Sequence, residues 1–150
     1  MIEVLKKAKI KTELEITEAT LLSVEEAKAL PQHLKKYEDW WWLRSPGYAQ
    51  CCAANVNYDG SVRYGGDYVN DDSDCVRPAL KLKSSNLHIG DRFTFGGVEF
   101  EVISDNLAFC TSDIGRCAFR RKWGVKDANL YEASDVKRYV DEWFNNAKLS

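Results

Sequence analysis

The chain reads as an α+β protein, a single domain over residues 1–150 in which small antiparallel sheets are flanked by two helices. Three observations predict this. Short segments with period-two alternation outnumber helical ones, turn residues separate them, and one strongly amphipathic segment closes the sequence. The length suits one hydrophobic core, and 45% hydrophobic residues with 12% aromatics argue for a folded chain.

Taken in order, residues 9–17 alternate. Ile10, Leu14 and Ile16 lie on one side, with Lys9, Lys11, Glu13 and Glu15 on the other, which is the pattern of a half-buried strand. Ser23 followed by Glu26 is a capping box that opens a short helix, and Pro31 should end or kink it. Trp40-Trp41-Trp42-Leu43 is bulky on both faces and predicts a central strand covered on each side, stopped by Pro46-Gly47. The tryptophans are read as core, with one ring available to floor a surface.

From Ala53 to Tyr64 the pattern predicts a hairpin. Val56 and Val62 share one apolar surface only if the loop is Tyr58-Asp59-Gly60 with Gly60 left-handed, because a two-residue Asp59-Gly60 turn would put them on opposite faces. A short strand follows at Leu80–Leu82, then a Ser84-Ser85-Asn86 link. Phe93, Phe95, Val98, Phe100 and Val102 bracket Gly96-Gly97 as a second hairpin, and residues 107–110 form a further strand. Ser134 caps a helix whose Val136, Tyr139, Val140, Trp143 and Phe144 repeat at helical spacing. These elements predict one core shared by Trp41, Trp42, Phe93, Phe100, Val102, Val136, Tyr139 and Trp143.

Charge and composition exclude several classes. A net charge of −2 and a pI near 5.7 give no reason to expect nucleic acid or an anionic membrane as partner. No run of 18 apolar residues is present, and Met1–Lys11 has no apolar segment of the signal-peptide kind. Membrane insertion is therefore not expected, and location on a virion or in the cytoplasm is left open. Five cysteines, with Cys51 and Cys52 adjacent, Cys75 alone and Cys110 and Cys117 seven apart, match neither a disulfide framework nor a zinc spacing.

Residues 48–75 are unusual. Gln, Lys, Glu, Met and Trp supply 31 of the 122 residues outside this window but only Gln50 within its 28. Tyr, Asn, Asp, Gly, Ser, Ala, Cys and Val dominate instead, close to the chemistry of antibody loops. A plain polar hairpin, whose tight turns disfavour Lys and Glu, is the competing explanation.

Trp41-Trp42-Leu43-Arg44-Ser45-Pro46-Gly47, Ala53-Ala54-x-Val56, Asp59-Gly60-Ser61-Val62 and Val76-Arg77-Pro78-Ala79-Leu80 together resemble the C-terminal half of a bacterial and phage domain family. That family has the C-type-lectin fold, in its formylglycine-generating-enzyme-like branch. Its members include variable proteins of diversity-generating retroelements from phages and gut bacteria. The resemblance implies a C-type-lectin-like fold, in a permuted order, since segments like residues 93–103 and 134–144 precede the tryptophan strand in many relatives. It also implies template-directed change of AAC and AAT codons to NNY, which cannot encode Gln, Lys, Glu, Met or Trp. Gln50 departs from that pattern.

The function expected on this resemblance is a ligand- or receptor-binding display protein with no cofactor. Its hypervariable patch comprises Tyr48, Ala49, Cys51, Cys52, Asn55, Asn57, Tyr58, Arg63, Tyr64, Asp67, Tyr68, Asn70, Asp71, Ser73 and Cys75, facing a protein or glycan on a target surface. Rivals are a formylglycine-generating-enzyme-like oxidase, which would need a metal-binding cysteine pair, and a structural domain that self-associates as a homo-oligomer. Asp67, Asn70, Asp71, Asp72 and Asp74 are oxygen-rich but lack EF-hand spacing, so no metal is expected. No catalytic constellation stands out around His33, His88, Cys110 or Cys117. Arg44 and Arg77, each near a proline, are read as structural ties to loop carbonyls.

Overall fold

The computed structural model of the chain describes residues 15–83, 87–122 and 124–149. In order come β1 (Glu15–Thr20), α1 (Val24–Lys28), α2 (Gln32–Lys35), β2 (Trp41–Pro46), β3 (Cys52–Val56) and β4 (Val62–Tyr68). They are followed by β5 (Ala79–Lys83), β6 (Arg92–Phe95), β7 (Val98–Ser104), β8 (Leu107–Cys110), a 3-10 turn at Tyr131–Ala133, and α3 (Asp135–Lys148). Two antiparallel sheets result, β1-β5-β8-β7-β6 and β2-β3-β4. The α+β class stands. Of the strand expected over 9–17, Ile10 and Leu14 lie outside the described residues, as does the Ser84-Ser85-Asn86 link.

The local signals near the N-terminal side form as expected, with one correction. Ser23 N donates to Glu26 Oε1 at 2.9 Å and Glu26 N donates to Ser23 Oγ at 3.2 Å, closing the capping box. Pro31 does more than end α1. It occupies the N-cap of α2, where its missing N–H costs nothing, so the described chain has three α-helices rather than two.

Sheet order places β2 at an edge of its sheet, not at the centre. That edge is nonetheless covered, because Trp42 N donates to Cys75 O and Cys75 N to Trp40 O at 3.2 and 2.8 Å. Trp41 and Trp42 are fully buried, and their ring nitrogens donate to the carbonyls of Lys35 and Cys117. Both faces of β2 are therefore occupied.

Both hairpins have the expected registers. Val56 lies opposite Val62, Asn57 N donates to Ser61 O at 2.9 Å, and Gly60 has φ 91°. Phe93 faces Phe100 and Phe95 faces Val98 around Gly96 and Gly97, whose φ values of 60° and 78° make the two-residue turn that matches strand twist. Gly96 is also a close-approach site. A Cβ there would stand 2.8 Å from that of Ala147, on α3.

Helix α3 lies against this hairpin, with Trp143 edge-on to Phe95 at 5.8 Å and tilted against Phe100 at 6.1 Å. One core joins Trp41, Trp42, Phe93, Phe100, Val102 and Val136, while Tyr139 and Trp143 are only partly buried at its margin. At the junction of the two sheets sits Arg77, 1% exposed. Its Nη1 donates to Leu34 O at 2.9 Å and its Nη2 to Cys110 O at 3.0 Å, and the rings of Tyr37, Trp41 and Phe109 surround the guanidinium at 4.2–4.8 Å. Arg44 is likewise structural, donating to Leu21 O and Glu26 Oε1.

Trp143→Ala is expected to cost about 3 kcal/mol in urea denaturation, at the low end for a buried aromatic because the ring is only partly buried. An unchanged midpoint would remove α3 from the core. Arg77→Lys should destabilise at least as much, since one ammonium cannot reach both carbonyls from a planar fork.

Candidate binding surface

The window 48–75 folds into the turn before β3, β3 itself, β4 and the segment that returns to Cys75. β3 is the middle strand of its sheet and every one of its residues is buried, which its small side chains Cys52, Ala53, Ala54 and Asn55 permit. β4 is an edge strand with none of its residues buried, exposed at Arg63, Tyr64 and Tyr68 and half-buried at the rest. This asymmetry sorts the expected patch.

Tyr48, Tyr58, Tyr64 and Tyr68 are 74%, 59%, 55% and 60% exposed, and all the exposed aromatics among the described residues are these four. Arg63, Asn70 and Ser73 are also exposed, and Ala49, Cys51, Asn57, Asp67 and Asp71 are half-buried. Three expected patch residues are instead interior: Cys52, Asn55 and Cys75. Alternation along a strand exposes every second residue only when one face is bare, and β3 is covered on both. Cys75 is buried because it bridges Trp41 on one side and Arg116 on the other.

The exposed residues do not form one flat patch. Arg63 lies over the Trp40 ring at 4.9 Å, and Tyr58 meets the same ring edge-on at 6.4 Å. Tyr64, the next residue on β4, emerges on the other side, where the Lys28 ammonium of α1 stands 5.5 Å from its ring. Tyr48 lies against Gly65 and near Cys52, at the opposite end of β4 from the hairpin loop. The surface therefore wraps the edge strand, with Trp40 as the floor of one side.

Distant residues hold this surface in place. Asn129 Nδ2 donates to Ala49 O at 2.9 Å and Cys52 O at 3.1 Å, clamping the turn that carries Tyr48. Arg116 Nη1 donates to Ser73 O and to Asp39 Oδ2, clamping the return segment. Sequence reading missed both clamps, and no local signal marks them, since each acts across more than 40 residues.

Thiols and acids complete the electrostatics. Cys51 and Cys52 Sγ atoms are 3.3 Å apart, and burial raises the Cys52 thiol to about 11. Burial also raises Cys110 to about 12 and Cys117 to about 11, so neither is a thiolate near neutrality. His33, solitary in the sequence, pairs with buried Glu101 at 2.9 Å, which Arg92 also contacts. Asp67, Asp71 and Asp74 converge, whereas Asn70 and Asp72 stay exposed outside the group. Asp74 is 2% exposed and accepts from Asn55 Nδ2 at 3.0 Å. Its carboxyl is pushed up to about 7, first by burial and then by the charges of Asp67, Asp71 and Asp39, against the Asn55 bond.

Between its ordinary value of 3.8 and about 7, folded Asp74 keeps a proton that the unfolded chain has lost. Its contribution to stability therefore falls as pH rises through that window and levels off above it. Each unit of the elevation is worth about 1.4 kcal/mol. In EDTA-containing buffer, Asp74→Asn should gain on the wild type between pH 5 and pH 8, read from urea midpoints of both proteins. Parallel pH profiles would show that Asp74 is not desolvated.

No helix among the described residues is long and apolar enough to cross a membrane. No curated protein and no solved structure matches the chain. One family model matches residues 4–84, more than half of the sequence and all of the β2-β3-β4 sheet. The chain belongs to that family, which is described as a domain of unknown function, DUF6273.

Proposed function

We propose that the chain is a ligand-binding display protein whose exchangeable surface is carried by the edge strand β4 and the turns around it. The observation that carries this reading is the confinement of exposed aromatics, among the described residues, to positions 48–68. Tyrosine gives large, rigid, amphipathic contact area at low entropic cost, and the neighbouring Arg63 adds a planar donor. The depletion of Gln, Lys, Glu, Met and Trp in the same window supports diversification through NNY codons, as the resemblance to retroelement variable proteins implies. The partner class is a protein or glycan on a target surface.

Two small antiparallel sheets, with Trp41–Gly47 feeding the displayed sheet and Val76–Leu80 leading into β5, support a C-type-lectin-like fold with permuted segment order. In this reading Cys52, Asn55 and Cys75 belong to the framework, and the replaceable set is Tyr48, Tyr58, Arg63, Tyr64 and Tyr68 with their exposed neighbours.

A library of NNY codons at those five positions tests the reading. Exposed positions tolerate change within about 0.5 kcal/mol each, so most members should keep the parental urea midpoint. Selection on immobilised lysozyme, a target chosen only as a probe, should yield binders that differ at these positions alone. A library that mostly unfolds would sink the proposal. In the neighbouring DNA, a reverse transcriptase gene with an adenine-rich near-copy of codons 48–75 is expected.

A further inference from the structure

We infer that Asp67, Asp71 and Asp74, with the side-chain oxygen of Asn55, form a binding site for a hard divalent cation, calcium. The inference does not depend on the display reading, because it concerns the buried side of the window rather than its exposed tyrosines.

The carboxylates come from three places. Asp67 is in β4, opposite Ala53; Asp71 follows the turn that ends the strand; Asp74 directly precedes the Cys75 bridge to Trp41. One oxygen from each lies within 4.8 Å of the others. Oxygens that share a calcium ion at about 2.4 Å cannot stand farther apart than about twice that, so the spacing is what one ion requires.

The orientation of the acids is already set. Asp67 Oδ1 accepts from Tyr68 N at 2.8 Å, Asp71 Oδ1 from Ser73 N at 2.8 Å, and Asp74 Oδ2 from Asn55 Nδ2 at 3.0 Å. Each of these bonds engages one oxygen of its carboxylate, so each acid has a second oxygen to offer. Among the described residues no lysine or arginine forms an ion pair with any of the three. Arg63, whose charge acts on Asp67 through space, lies over Trp40, and Arg116 is bonded to Asp39 and Ser73.

Asn55 supplies the independent sign. It is 0% exposed, its amide nitrogen is bonded to Asp74, and the Oδ1 of the same amide has no hydrogen-bond partner. Buried polar atoms are nearly always satisfied, and this oxygen belongs to an amide held against Asp74, so what it lacks is a donor or a cation. A cation supplies it. All the donors are oxygens, with no thiol or imidazole in the set, which favours calcium over zinc or copper. Two of the three acids are only half-buried, so water can complete the large coordination shell that calcium accepts. Composition singled out these acids, but the spacing of 67, 71 and 74 matches no EF-hand loop, so only their meeting in the fold makes a site.

The bound ion would tie the end of β4 to the strand-bridging residue Cys75. The test is calcium titration at pH 7.5, followed by calorimetry and by thermal unfolding against EDTA. Wild type should bind one calcium saturably and unfold several degrees higher with about 1 mM calcium than in EDTA. Asp71→Asn, on a half-exposed turn where folding should survive, should weaken affinity by roughly tenfold or more. Asp74→Asn should do the same, while Asp72→Asn, exposed and outside the cluster, should bind like wild type. Absence of saturable binding by the folded wild type would overturn the site. So would an Asp72→Asn effect equal to that of Asp71→Asn, which would mean diffuse attraction to an acidic loop. Neither outcome touches the tyrosine library, so the two readings fail separately.

Discussion

The buried guanidinium of Arg77 ties three parts of the chain together at the junction of the two sheets. It reaches from the segment just before β5 to the last turn of α2 through Leu34 O and to the end of β8 through Cys110 O. Around it are Tyr37, Trp41 from the three-stranded sheet and Phe109 from the five-stranded one. A charge with no carboxylate partner is costly to bury. Here two carbonyl dipoles and three ring faces take the place of a counter-ion, so the elements that supply them must all be present for the residue to be tolerated. Burial lowers the guanidinium's pKa from its ordinary value, and the group stays charged because that value lies so far above neutrality.

The same junction decides what the 48–75 window can do. With Trp41 and Trp42 pinned on both faces, β3 is sealed between β2 and β4, and its side chains shrink to Cys, Ala, Ala and Asn. Exposure is displaced outward to β4 and to the turns, where Tyr48, Tyr58, Tyr64 and Tyr68 stand on a rigid base. Rigidity below and freedom above are the conditions under which surface side chains can change without refolding the scaffold.

The two buried carboxylates among the described residues, Glu101 and Asp74, are matched differently. Glu101, equally buried, is matched by His33 and Arg92. Asp74 and Asn55 have each other and little else, with Asp67 and Asp71 close by. The contrast between a matched and an unmatched buried acid in one small fold points to a positive partner for the second.

Much of the architecture was legible in the sequence. The capping box at Ser23, the three-residue loop ending in left-handed Gly60, the Gly96-Gly97 turn and the amphipathic stripe of α3 all formed as read. Each rests on interactions within a few residues or on a period that only one conformation satisfies. The candidate surface was legible in part. Its composition located it, but alternation alone could not tell that β3 is covered twice, so Cys52, Asn55 and Cys75 were placed outside. The clamps from Asn129 and Arg116, the junction at Arg77 and the meeting of Asp67, Asp71 and Asp74 were decided by tertiary structure. The α+β class, the turns and the window's chemistry follow from residue order alone, because they depend on local sterics and side-chain period. Which faces are sealed and which polar groups meet depends on segments far apart in the chain, and only their packing together sets that.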